Sequence, residues 1–170
     1  DLAVLNSIPN ITLAAPMNEV ELRNMMFTAS RFKKGPFAIR YPRGYGFLDA
    51  DEWKQEFQKL VVGKGRQLSD GEEVAIISLG QPGSYVLEAC RQLETEGFFP
   101  AIYDLRFLKP IDKALLHEIF SHFKKIITNE DGVLQGGLAS SLSAFATRHH
   151  YANHLETIGI SDEFIPHGSK

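Results

Sequence analysis

Val74-Ala-Ile-Ile-Ser-Leu79, followed by Gly80-Gln-Pro-Gly-Ser84, is the stretch that decides the fold. A strand with one wet face alternates apolar and polar residues, whereas a run without alternation suits a strand covered on both faces. The glycine-rich turn then feeds Val86, Ala89, Cys90 and Leu93, whose spacing predicts one apolar helix face closing at Gly97. The same unit recurs toward the C-terminus. Ala101–Leu105 reads as a strand, Leu116, Ile119, Phe120 and Phe123 as a helix face, and Lys125–Thr128 as a strand. Gly136-Gly137 opens a helix carrying Leu138, Leu142 and Phe145, and Leu155–Ile160 supplies a last strand. Strands alternating with helices predict right-handed crossovers and an α/β fold: a mainly parallel sheet in a three-layer α/β/α arrangement.

Working toward the N-terminus, Ser69-Asp70-Gly71 is a turn signal, and the text between Gly46 and Leu60 changes character. Acids and lysine alternate there with Trp53 and Phe57 without a sustained period, which reads as an interdomain linker whose aromatics dock on a neighbouring surface. Before it lies a strand-helix-strand segment. Ile11–Ala15 is a strand closed by Pro16, Asn18 and Glu21 have capping-box spacing, and Leu22, Met25, Met26 and Ala29 predict an apolar helix face. Lys33-Lys34-Gly35 ends that helix, and Phe37–Tyr41 is a strand stopped by Pro42.

Composition narrows the function classes. The 170 residues carry a formal charge of -3 with 44% hydrophobic residues, an ordinary globular balance. The single Cys90 excludes a disulfide framework and a multi-cysteine metal site, and its place on an apolar helix face suits packing better than nucleophilic chemistry. No apolar run approaches the roughly 20 residues of a membrane span, and no signal-peptide pattern is present. The chain opens on Asp1 without a methionine, so it is read as a piece of a longer protein. Its first 46 residues hold six basic side chains (Arg23, Arg31, Lys33, Lys34, Arg40, Arg43) against three acids (Asp1, Glu19, Glu21). That excess is too small for a nucleic-acid footprint and suits one small anionic ligand.

Candidate chemistry concentrates in Gly35-Pro-Phe-Ala-Ile-Arg-Tyr-Pro-Arg-Gly44. In open α/β sheets ligands sit beyond the carboxyl ends of strands, and Pro42 forces the strand to stop just before Arg43. A guanidinium there either holds a phosphate or carboxylate through two parallel N–H bonds or serves a structural ion pair. Arg40, three positions earlier, faces the other way, and an ion pair is its expected role. The turns Gly80–Ser84 and Gly132–Gly137 could each cradle an anion at a helix N-terminus, but neither has dinucleotide or P-loop spacing, and tight packing is the expected explanation. Glu130 and Asp131 end a strand, where they either stay on the surface or meet another domain. The pairs His117/His122, His149/His150 and His150/His154 lack metal-ligand geometry, with the last helix expected to reach Asn153.

Several ordered motifs resemble one family. They are Ala14-Ala-Pro-Met-Asn-Glu19, Ala38-Ile-Arg-Tyr-Pro-Arg-Gly44, Gly63-Lys-Gly65, Tyr103-Asp-Leu-Arg-Phe-Leu-Lys-Pro-Ile-Asp112, Thr128-Asn-Glu-Asp131, and Ile160-Ser-Asp-Glu-Phe-Ile-Pro-His-Gly-Ser169. Together they are similar to the 1-deoxy-D-xylulose-5-phosphate synthases, thiamin-diphosphate enzymes of the transketolase type. The resemblance implies that residues 1–46 are the tail of a second, pyrimidine-binding domain, 47–57 a linker and 58–170 the third, C-terminal domain. It implies for the full-length enzyme a cytoplasmic homodimer that uses thiamin diphosphate and Mg2+. That enzyme condenses pyruvate with D-glyceraldehyde 3-phosphate, with loss of CO2, for isoprenoid and thiamin precursors. By the same resemblance Arg43 is the substrate-binding contact to the acceptor's phosphate. Catalytic, cofactor-binding and metal residues are expected upstream of this chain, which alone is expected to be inactive. Ala139 departs from a glycine that is frequent in the family. The alternatives are another transketolase-like enzyme, such as transketolase or a 2-oxoacid dehydrogenase beta subunit, and a non-catalytic α/β binding module.

Overall fold

The computed structural model describes residues 1–44, 46, 54 and 56–165. The decisive stretch is a strand, β4 (Val74–Leu79), and it runs in the interior of a five-stranded sheet with β3 (Arg66–Ser69), β5 (Ala101–Asp104), β7 (Lys125–Val133) and β8 (His154–Ile160). The order is β3-β5-β4-β7-β8, parallel throughout except for β3, which is antiparallel to β5. Helices α3 (Pro82–Thr95), α4 (Lys113–His122) and α5 (Leu138–Arg148) connect the parallel strands.

The chain steps from β4 to β5 on one side and then back across to β7 on the other. With right-handed crossovers this puts α3 and α4 on opposite faces. Alternation along the strands carries the result. Ala75, Ile77, Ala101 and Tyr103 pack with Leu116 and Ile119 of α4 and Leu138 and Leu142 of α5. Ile76 and Ile102, one residue out of phase, pack with Val86 and Cys90 of α3. The expected three-layer α/β/α arrangement is therefore present. On α3 the buried face is narrower than the periodicity predicts, because Ala89 is exposed and Leu93 is 38% exposed. The last helix also stops at Arg148, short of Asn153.

A second, three-stranded sheet of order β2-β1-β6 takes two strands from before the linker and one from after β5. Strands β1 (Thr12–Ala14) and β2 (Phe37–Ile39) are parallel, and β6 (Phe107–Lys109) joins antiparallel to β1. The sequence gives little warning of β6 or of the short helix α1 (Leu2–Asn6), because each holds too few residues to show a period. Strand β6 brings Phe107, fully buried, against Ala14 and Met25. Leu2, Leu13 and Ala15 share one core with Leu79 and Leu105, so the N-terminal segment and the larger sheet pack as one body.

The helix between β1 and β2, α2 (Glu19–Ser30), differs from expectation by one residue in phase. Its buried positions are Glu21, Asn24, Met25 and Thr28, whereas Met26 is 59% exposed. It also ends at Ser30 rather than at Lys33-Lys34-Gly35. Phe57, from the segment read as a linker, stacks on Phe27 of α2 at 5.5 Å between ring centroids, with the Arg23 guanidinium 5.1 Å from its ring. This aromatic does dock, on a helix of its own chain; Trp53 lies outside the described residues.

Candidate functional site

The carboxyl ends of β1 and β2 and those of β4 and β7 meet along one side of the molecule. Arg40 follows β2 directly, and its backbone N–H donates to the Ala14 carbonyl at 2.8 Å, extending the ladder one step. Its guanidinium donates to the Asp131 carboxylate at the end of β7 and lies 3.6 Å from that of Asp1. The ion pair expected for Arg40 is thus formed, and Asp131 meets the N-terminal segment instead of standing alone. Beside it a cleft opens between α1 and β2, walled by Leu2, Leu5, Leu13, Ala38, Arg40 and Tyr41.

Arg43 lies just past this ladder, where Pro42 withholds a backbone donor and the strand cannot continue. It is exposed and is followed by Gly44 at φ +151°, a conformation side chains with a Cβ rarely adopt. The structure separates Arg43 from Arg40: one belongs to an internal ion pair and the other lies in the bend beyond the sheet end. That is the sheet-end position the sequence predicts for an anion contact.

Both glycine-rich turns are filled by the protein itself. At the start of α5 the Glu130 carboxylate accepts from the backbone N–H groups of Leu138 at 2.9 Å and Ala139 at 2.8 Å. The helix N-terminus does cradle an anion, but that anion is an internal side chain. Burial pushes the Glu130 carboxyl above its ordinary range, against the lowering pull of those two N–H groups. At the start of α3, Gly80 (φ +79°) packs on Ala15, and the Ser84 hydroxyl donates to the Met17 carbonyl at 2.9 Å. Neither turn leaves room for a diphosphate. Among the described residues no three His, Cys, Asp or Glu side chains are grouped to hold a metal ion. The described residues do not fit thiamin diphosphate or its magnesium, so no chemical step through them is assigned to this chain.

Sequence reasoning missed the main charged cluster. Glu21 of α2 and Asp104 of β5 are both buried, and two arginines bind them. Arg106 donates to both oxygens of Glu21 from Nε and Nη2, each at 2.8 Å, in the parallel fork geometry guanidinium favours. Arg66 lies 3.0 Å from Glu21 and donates from Nε to Asp104 at 3.2 Å, and the Arg106 backbone N–H donates to Asp104 at 3.0 Å. Desolvation raises the Asp104 carboxyl to about 6, with Arg66 opposing and Glu21 adding to the rise. Consequently only Asn18 completes its half of the expected capping box, accepting from the Glu21 N–H at 2.9 Å, while the Glu21 side chain turns to the arginines. A signal was available in Asp104-Leu-Arg106, two opposite charges two residues apart at the end of an apolar strand.

The other polar residues of that motif also reach across the fold. Lys109 donates to the Asn6 and Ile8 carbonyls at 3.0 and 2.8 Å, and Asp112 caps α4 while accepting from Lys64 at 3.0 Å and the Gly65 N–H at 3.2 Å. A Cβ on Gly63 would come within 2.8 Å of Pro110, which ties Gly63-Lys-Gly65 to the same motif. These motifs hold the two sheets together. Two of the described histidines make internal contacts: His117 Nδ1 contacts the Tyr151 hydroxyl at 2.9 Å, and His154 contacts Glu156 at 2.7 Å. Burial, ahead of the neighbouring His117, lowers the His149 pKa. Cys90 is buried, and desolvation raises its thiol pKa, as packing rather than nucleophilic use requires.

The mainly parallel three-layer sheet, with its carboxyl ends gathered beside Arg40 and Arg43, is that of a C-terminal α/β domain of the transketolase type. Residues 63–170 match the model of the transketolase C-terminal domain, and the chain belongs to that family. Over its whole length it is 50% identical to a 1-deoxy-D-xylulose-5-phosphate synthase of Cytophaga hutchinsonii, of which it covers 27%. It is 48% identical to the synthase of Bacteroides thetaiotaomicron and 41% identical to that of Geobacillus thermodenitrificans, covering 99% of this chain and 26% and 27% of those proteins. The chain therefore spans about a quarter of the length of these curated relatives. Among solved structures, a split gene transketolase described as an inactive beta4 tetramer superposes with a TM-score of 0.79 at 28% identity, covering 95% of this chain and 52% of that one.

Proposed function

We propose that this chain is the C-terminal part of a 1-deoxy-D-xylulose-5-phosphate synthase. The whole enzyme joins pyruvate to D-glyceraldehyde 3-phosphate with loss of CO2, as a cytoplasmic homodimer serving isoprenoid and thiamin precursor synthesis. One observation carries the reading: similarity to the synthases extends over the full chain, on both sides of the segment between residues 46 and 58, not only over the domain shared by all transketolase-like enzymes. Residues 1–46 are then the tail of the pyrimidine-binding domain, 47–57 the linker and 58–170 the third domain.

Within that enzyme Arg43 holds the phosphate of glyceraldehyde 3-phosphate. Its place beyond the end of β2 is where an acceptor phosphate would meet the sheet end, a guanidinium fork matches two phosphate oxygens, and the resemblance at Arg-Tyr-Pro-Arg-Gly supports the same role. The cofactor, thiamin diphosphate with Mg2+, supplies the carbanion chemistry when bound by the other domains. This chain's part is to orient the acceptor and to pack against those domains. The split transketolase neighbour, called inactive in its description, supports the view that such a fragment does not turn over alone.

The test is the Arg43→Ala variant of the full-length enzyme. Loss of a charged, forked phosphate contact costs about 2–3 kcal/mol, so kcat/KM for glyceraldehyde 3-phosphate should fall roughly 30- to 150-fold, with thiamin diphosphate affinity unchanged. Steady-state kinetics that leave KM and kcat for that substrate as in the wild type would remove Arg43 from the site.

A further inference from the structure

Arg40 is held from several sides. Its Nη1 donates to the Asp131 carboxylate, its Nη2 lies 3.5 Å from the Asp131 carbonyl oxygen, and Asp1 adds a looser charge at 3.6 Å. An irregularity in β7 delivers this partner. Between the paired residues Asn129/Ile158 and Val133/Ile160, β7 has two residues more than β8, and Glu130 and Asp131 fall in that bulge. A bulge breaks the alternation of a strand and re-aims its side chains. Two consecutive carboxylates here serve two structures: Glu130 accepts from the first N–H groups of α5, and Asp131 turns to the end of β2.

A partly exposed ion pair adds little stability, and the N-terminal segment already shares an apolar core with the larger sheet through Leu13 and Ala15. What the pair adds is position. Pro42 has a fixed φ and disfavours the helical region for Tyr41, so the step from Arg40 to Arg43 is stiff. Three residues span at most about 10 Å. A clamp at residue 40 therefore restricts where residue 43 lies, and Gly44, at φ +151°, turns the chain directly afterwards. Without the Asp131 charge, the strand end keeps the ladder bond from the Arg40 N–H to the Ala14 carbonyl at 2.8 Å, but its side-chain anchor is weakened.

We propose that Asp131 is a positioning residue for the acceptor site: through Arg40 it fixes the end of β2, and with it the place from which Arg43 meets the substrate phosphate. Asp131 touches no substrate itself. It links the bulge of the larger sheet to the strand of the smaller sheet that carries Arg43, so the phosphate contact depends on how the two sheets are joined. This role rests on the synthase reading and on the part of Arg43 in it.

The test is steady-state kinetics of the full-length enzyme with pyruvate and glyceraldehyde 3-phosphate, in Asp131→Asn and Arg40→Lys. D131N keeps the shape and removes the charge, and R40K keeps the charge and removes the fork, so either variant carries the test if the other fails to fold. In each, kcat/KM for glyceraldehyde 3-phosphate should fall about fivefold or more, mostly through KM, with the KM for pyruvate within about twofold of the wild type. Adding D131N to Arg43→Ala should change kcat/KM less than about twofold, because Asp131 acts through Arg43. A wild-type enzyme without this turnover overturns the synthase reading and the role of Asp131 with it. Given wild-type turnover and a loss in R43A, an unchanged KM in both D131N and R40K, an equal rise in the KM for pyruvate, or the full D131N loss repeated on R43A overturns the positioning role alone.

Discussion

Glu130 and Gly137 explain each other. A carboxylate following the sequence Ile-Ile-Thr-Asn looks like a surface group, yet Glu130 is 4% exposed and spends both oxygens on the first N–H groups of α5. A Cβ at residue 137 would lie 2.1 Å from Glu130 Oε2. Gly137 has an ordinary negative φ of -87°, so steric room for the carboxylate, not backbone freedom, requires glycine there. Gly137→Ala should therefore displace Glu130, breaking two charge-assisted hydrogen bonds and leaving a buried carboxylate poorly paired. A loss of roughly 2–4 kcal/mol in urea unfolding is expected. Ala139, 4% exposed, donates its N–H to Glu130, so its methyl is accommodated beside the carboxylate.

Helix α2 shows where an element is legible and where it is not. The period of its buried face follows the sequence, but the phase is set by groups that hydrophobicity ignores. Asn24 accepts from the Gln58 N–H at 3.0 Å, and Thr28 accepts from the Leu60 N–H at 2.9 Å while donating to the Asn24 carbonyl at 2.7 Å. The helix thus buries a polar stripe to pair the backbone that enters the larger sheet, and Met26 is left in solvent. Strands β4 and β5 needed no such correction, because continuous apolar residues admit one placement between two helix layers. Strand β6 was unreadable because its partner β1 lies in the other half of the sequence. Thr28→Val keeps the shape but leaves the buried Leu60 N–H unpaired, so a loss of about 1–3 kcal/mol by denaturant titration is expected. Met26→Lys, on the exposed face of the same helix, should stay within about 0.5 kcal/mol of the wild type.

At the scale of the whole molecule, four ionisable groups fasten the N-terminal segment to the larger sheet: Glu21 from α2, Arg66 from β3, and Asp104 and Arg106 flanking the end of β5. Two half-buried arginines facing two buried carboxylates balance in charge, yet taking the carboxylates out of water is costly, and the cost appears at Asp104. Its carboxyl titrates at about 6 in the folded protein against an ordinary 3.8. The folded state therefore holds a proton that the unfolded chain has already released, so this site favours folding below pH 3.8 and loses that contribution as pH rises through about 6. Glu130, also raised, acts in the same direction, so the wild-type profile alone does not isolate Asp104. Asp104→Asn retains an oxygen to accept the Arg106 N–H while removing the titration. Relative to that variant, the wild type should give up about 2 kcal/mol of unfolding free energy between pH 4 and pH 7 and then level off. Urea titrations of both proteins across that range test this directly. Parallel profiles would mean that Asp104 ionises freely in the fold and that its burial between Arg66 and the Arg106 backbone does not govern how tightly the two sheets are joined.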